Sequence, residues 1–240
     1  MTVSVHEACA SLRFAEGLRR RSAQARAEAA VQEAVSLSSL LGVRVAASEI
    51  REATVRGDFD EDPRLAAALG VWRAAWSLEE SLDPLNPKGP RRRTATPPWP
   101  ATIAQWHRDI CSFLVARSHM SSQEVAKPLS LEAIRVIQEP NKDALTHAAK
   151  VWRTFVVAPP FTYGSAVVGA LAAKRILALS GVEPTGVAVI GSYAAQDPSR
   201  FFSLDDREEE WQQFTETSVI EGCQRGIEVS RWVQAERLPS

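Results

Sequence analysis

Ala158-Pro159-Pro160-Phe161-Thr162-Tyr163-Gly164-Ser165-Ala166-Val167-Val168-Gly169-Ala170 is the stretch on which the fold of this chain turns. Apolar residues recur at helical spacing up to Val157, and a second run of small and apolar residues begins at Ser165. Two successive prolines stop a helix, because each ring removes an N–H and crowds the preceding turn. The spacing therefore predicts a helix, a tight turn through Gly164, and a second helix. The first N–H groups of that second helix have no partner within it, so the corner has the outline of an anion cradle.

Outward from this corner, nearly every segment repeats the same period, as in Val31, Val35, Leu37 and Leu41, or Leu65, Leu69, Trp72 and Trp76. The pattern predicts an all-α protein with helices near 4–17, 22–42, 46–56, 63–81, 99–118, 129–138, 141–157, 165–180 and 205–236. Pro63 behind Asp62, and Asp143, mark helix starts, while Gly181 marks a helix end. At most one short strand is expected, Val187 to Ile190 between Gly186 and Gly191. The Pro-rich segment 83–98 keeps no apolar period and divides an N-terminal helical region, 1–82, from a helical core, 99–240.

Composition excludes several functions. With 45% hydrophobic and 24% charged residues over 240 positions, the chain is expected to be globular rather than disordered. A formal net charge of −1 supplies no field to gather nucleic acid or an anionic membrane, so neither is an expected partner. No apolar run approaches the roughly 18 to 20 residues needed to cross a bilayer. Cys9, Cys111 and Cys223 are odd in number and far apart, which points to reduced thiols and a cytoplasmic location rather than a disulfide framework. His6, His107, His119 and His147 show no metal-ligand spacing with one another or with the cysteines, so no metal site is expected.

The corner resembles the signature loop of the Fic/Doc (Fido) family, His-Pro-Phe-x-Asp/Glu-Gly-Asn-Gly-Arg-x-x-Arg, whose members transfer AMP or another phosphate-containing group onto a protein hydroxyl. Pro160, Phe161 and Gly164 match the family pattern, whereas Pro159 stands at the catalytic histidine and Tyr163 at the metal-binding acid. Ser165, Ala166, Val167 and Ala170 replace the family's Asn, Gly and two arginines. The flanks agree as well: Lys142 to Val157 is similar to the helix leading into the loop, with Trp152 where many members have a histidine. Asp197 to Phe202 resembles the stretch carrying an aromatic pair. The likeness covers most of residues 99–235.

A second likeness lies in the helix 22–42, which resembles the carrier of the family's autoinhibitory motif Ser/Thr-x-x-x-Glu-Gly/Asn. There Leu37 stands for the hydroxyl residue, Leu41 for the inhibitory Glu, and Gly42 is retained. If Leu41 faces Ala170, an ion pair of the family has become an apolar contact. The resemblance implies a degenerate bacterial Fic-like helical bundle of the actinobacterial type with no catalytic base, no cofactor and no metal. It would work by binding a protein partner or as a scaffold. Phe161, Gly164, Ser165 and Ala166 are the residues at which a remnant of ligand binding would sit, with Ser165 capping the helix and the amides of Ala166 and Val167 facing an anion. Nucleotide is expected to bind poorly there, since Lys174 and Arg175 follow too far along the helix to restore the lost clamp.

Two alternatives remain beside that reading. The loop could retain a nucleotide and perform an AMP or phosphoryl transfer with His119 or His147 as base, or the chain could be an unrelated helical adaptor. The remaining features have structural explanations. Lys88 and Arg91 to Arg93 read as a solvated basic loop, and Trp72, Trp76 and Trp106 as core fillers. Asp205, Asp206 and Glu208 to Glu210 suit the positive end of a helix. Residues 118–140, where the family carries a hairpin flap, show no alternation of apolar residues.

Overall fold

Helical periodicity becomes helix throughout the computed structural model, which describes residues 3–57, 62–85, 97–125, 129–139 and 142–239. The elements are α1 (Val5–Arg13), α2 (Glu16–Ser38), which tightens into a 3-10 turn (Ser39–Leu41), α3 (Ala47–Arg56), α4 (Pro63–Ser81) and α5 (Trp99–Ala116). They are followed by α6 (Ser122–Val125), α7 (Leu131–Gln138), α8 (Ala144–Val157), α9 (Ser165–Leu179), α10 (Gly191–Gln196), α11 (Pro198–Phe202) and α12 (Glu208–Gln234). The fold is all-α, with no strand among the described residues, and no described helix is long and apolar enough to cross a membrane.

The capping chemistry written in the sequence is used. Asp62 accepts the Arg64 N–H at 2.8 Å ahead of Pro63, and Asp143 accepts the Leu145 N–H at 3.0 Å. Gly181 follows α9 with φ 81°, a left-handed conformation that glycine reaches without a Cβ clash. The long second helix begins earlier than its apolar stripe suggests, at Glu16, with a break at Arg21 (φ −126°, ψ 31°). Expected as one helix over 4–17, the N-terminal segment instead ends α1 at Arg13 and turns through Phe14 and Ala15. Three short helices, α6, α10 and α11, escape a periodicity search altogether, although α11 carries a legible start: Asp197 accepts the Arg200 N–H at 3.0 Å and Pro198 occupies the first turn.

The expected strand Val187 to Ile190 is not one. It is a fully buried, irregular segment laid along α12, and its Val189 N–H donates to the Gly222 carbonyl at 3.0 Å. Four apolar residues looked like a strand because buried extended backbone favours the same side chains in either setting. The close approach is possible because α12 presents glycine there: a Cβ on Gly222 would lie 3.0 Å from the Ile190 Cα. Gly222→Val should therefore destabilise the protein by about 1–3 kcal/mol through overpacking, read as a lower urea midpoint at unchanged slope. An unchanged midpoint would show that α12 yields freely.

One hydrophobic cluster runs from Ala8 on α1 to Val233 on α12 and takes side chains from both 1–82 and 99–240. α4 lies along α5, α8 along α9, and α2 packs on both α4 and α12. Trp106 is buried and Trp72 and Trp76 are partly buried against the same core. Lys88 and Arg91 to Arg93 lie outside the described residues.

Candidate functional site

The corner between α8 and α9 forms as the sequence predicts, with the Pro159–Pro160 bond trans. Gly164 sits at φ 73° directly before α9, and a Cβ there would come 3.0 Å from Ile110 Cγ2 on α5. Glycine is thus required twice, by the backbone angle and by the proximity of α5. Phe161 turns inward and stacks on the His107 imidazole, with centroids 3.8 Å apart and planes 8° from parallel. Burial, opposed in part by the Tyr163 carbonyl, holds the His107 pKa below its ordinary value, so the ring is neutral at physiological pH. Its Nε2 lies 3.7 Å from Cys111 Sγ, one helical turn further along α5.

Ser165 does not cap α9. It is the first helical residue, is buried, and donates its hydroxyl proton to the Phe155 carbonyl at 2.7 Å, tying the start of α9 to the end of α8. The reason is positional: Gly164 occupies the boundary, so the Ser165 side chain lies one place too late to reach back over the first turn. Ala166 is also buried. Pro159 is exposed. Tyr163 is the one titratable side chain between Ala158 and Ala170, and burial pushes its hydroxyl up to about 12.

Of the two transfer bases named from the sequence, His147 lies away from the corner. His147 bonds the Val136 carbonyl at 3.1 Å near the start of α8, roughly 16 Å along the helix from Ala158. The histidine stacked on the loop is His107. A His and a Cys four residues apart on one helix were its only signal.

On α2, Leu37 is fully buried and packs toward Gly191, where an added Cβ would lie 2.6 Å from Leu37 Cδ2. Gly42 closes the 3-10 turn in the left-handed conformation, and Leu41 is partly buried against the core. The polar tie between α2 and α9 occurs elsewhere, one turn before Leu37 and one turn beyond Ala170. Lys174 Nζ lies 3.4 Å from Glu33 Oε2 and 2.8 Å from Glu79 Oε1 on α4.

That contact is the centre of a buried ionic cluster. Glu33 also accepts the Gly191 N–H at 2.8 Å. Arg26 reaches to 4.0 Å from Glu79 Oε2 and donates to the Thr185 carbonyl at 2.8 Å. Glu183 accepts the Thr185 and Gly186 N–H groups, each at 3.0 Å, and shapes the turn leading to the buried segment 187–190. Three carboxylates thus share two cations away from water. Burial pushes Glu79 up to about 7, against the attraction of Lys174, and raises Glu33 and Glu183 as well. Burial opposes the charge of Lys174, yet Glu79 and Glu33 hold its pKa above the ordinary lysine range. The sequence signal was available but faint: single charges inside otherwise apolar helical runs.

Cys9 and Cys223, read as distant thiols, meet at 3.6 Å between α1 and α12, both buried and both free. Among the described residues no group of three His, Cys, Asp or Glu side chains is arranged to hold a metal ion. No family model and no curated protein matches this chain.

Proposed function

We propose that this chain is a non-catalytic, Fic-like binding protein of the bacterial cytoplasm, whose former transfer loop serves as a packing corner and whose work is to engage a protein partner. The observation that supports this most is the direction of the loop side chains. Phe161 is spent on His107 and Ser165 on the Phe155 carbonyl, and the position of the family base is a proline. A transfer reaction needs a group to take the proton of the attacking hydroxyl and charges to stabilise the phosphoryl oxygens. Tyr163, with its hydroxyl at about 12, remains protonated at neutral pH and does neither.

Incubation with labelled ATP or CDP-choline and Mg2+ is expected to leave protein targets, and the chain itself, unlabelled. Metal-dependent transfer that disappears in Tyr163→Phe would overturn the reading, because a loop with no working group cannot lose activity through a hydroxyl. A thermal-shift titration with the same nucleotides is expected to leave the melting temperature unmoved.

A further inference from the structure

Buried cations in this protein have carboxylate partners, with one clear departure. Arg26 faces Glu79, and Lys174 faces Glu79 and Glu33, but among the described residues no carboxylate pairs with Arg175. The side chain is 2% exposed, and burial alone lowers its pKa. Nη1 donates to Thr102 Oγ1 at 2.7 Å and Nη2 to the Pro97 carbonyl at 3.2 Å, while Nε has no partner. The chain from Asn86 to Thr96, which precedes Pro97, contains no Asp or Glu.

This guanidinium forms part of the wall of a cavity of about 320 Å3 between α4, α5 and α9. The Trp99 ring covers it at 4.5 Å, and Trp106 lies 5.9 Å away. Ser77 on α4 adds a hydroxyl, and Arg108 adds a second cation from the exposed face of α5. Ala101, Pro97 and Trp106 supply apolar wall. A desolvated cation without a counter-charge is unfavourable, and the arrangement becomes favourable when an anion from outside completes it.

We propose that this cavity binds the oxyanion head of a small molecule, a carboxylate or a phosphate, on Arg175, with the molecule's apolar body against Trp106 and Ala101. The planar fork of arginine suits both heads. The volume stands at the small end for ligand cavities, so the ligand is of the size of an aromatic acid or a simple phosphate ester rather than a nucleoside triphosphate. The site is separate from the corner at Gly164 and does not rest on the Fic-like reading.

The test is a calorimetric titration of the whole chain with inorganic phosphate, phenyl phosphate and benzoate at constant ionic strength, with benzamide as the uncharged control. Indole fluorescence follows Trp99 and Trp106 in parallel. At least one oxyanion should bind saturably and benzamide should not. Affinity should fall at least about tenfold in Arg175→Met. Because Arg175 is buried, that variant can fail to fold; Ala101→Trp, an exposed position on the cavity wall, fills the space while leaving Arg175 in place and should abolish binding. Preference for phenyl phosphate or for benzoate identifies the head group. No saturable binding of any of the three to the cooperatively melting protein, or binding unchanged in Ala101→Trp, overturns the proposal.

Discussion

Lys174→Met is expected to destabilise the protein by about 3–5 kcal/mol at pH 7, since it leaves buried carboxylates facing one another with Arg26 as the remaining cation. Glu33 and Glu79 are both within ion-pair distance of Lys174 Nζ, and Glu183 is fully buried beside them in the same field. The loss should shrink at pH 5, where the carboxylates can take up protons, and chemical denaturation at the two pH values measures it. With three carboxylates left against one cation, Glu79→Gln in the Lys174→Met background should recover part of the loss. A loss under about 1 kcal/mol, or one independent of pH, would mean that the cluster is hydrated rather than buried.

The same cluster contributes a pH dependence of definite sign, opposed in part by His107, whose lowered pKa favours the folded state as pH rises. The folded-state pKa of Glu79 is raised from 4.5 to about 7, so the folded protein binds more protons than the unfolded chain between those values. The stability this contributes is complete below about 4.5 and is lost as pH rises through about 7. Glu33 and Glu183 shift in the same direction. The melting temperature is therefore expected to fall by on the order of 5 °C between pH 5.5 and pH 8. Glu79→Gln should flatten that slope, while a wild-type melting temperature that rises over the same interval would contradict the assignment.

Trp152→Ala should be comparably severe, about 3–5 kcal/mol, because it empties the centre of an aromatic group. The Trp152 ring meets Phe214 edge-on at 5.4 Å and Phe201 at 5.8 Å, and Gly169 on α9 packs directly against it. Trp152→Phe should cost far less. The indole Nε1 is buried without a hydrogen-bond partner, so phenylalanine removes an unsatisfied donor along with some volume. Equal losses for the two variants, measured by urea unfolding, would instead point to a polar role for the indole. Position 152 belongs to the packing between α8, α11 and α12.

Much of the fold was legible because it depends on short-range rules. Asp62-Pro63, Asp143, Gly164 and Gly181 each specify a local backbone state, and the 3.6-residue period specifies which face of α7 or α8 is buried. Where the rules are equally local but the element is short, as at α10 and α11, periodicity has too few residues to register. The segment 187–190 went astray for a different reason: whether an apolar run becomes strand or buried coil depends on what lies beside it, and here it is the glycine face of α12.

The candidate sites divide along the same line. That residues 158–170 contain no histidine, no basic residue and no carboxylate is a matter of residue identity, readable without coordinates. That Ser165 bonds Phe155 rather than capping α9 is not, since it depends on an offset of one residue at the Gly164 boundary.

The sequence by itself determined the helical class and most helix starts, because each is carried by residues adjacent in the chain. Only the tertiary structure decided that Glu33, Glu79, Glu183, Arg26 and Lys174 share one dry site, that Cys9 meets Cys223, and that no carboxylate among the described residues pairs with Arg175. Charge pairing depends on distance in space, and the separations in the chain, 141 residues for Glu33 and Lys174 and 214 for the two cysteines, hold no trace of it.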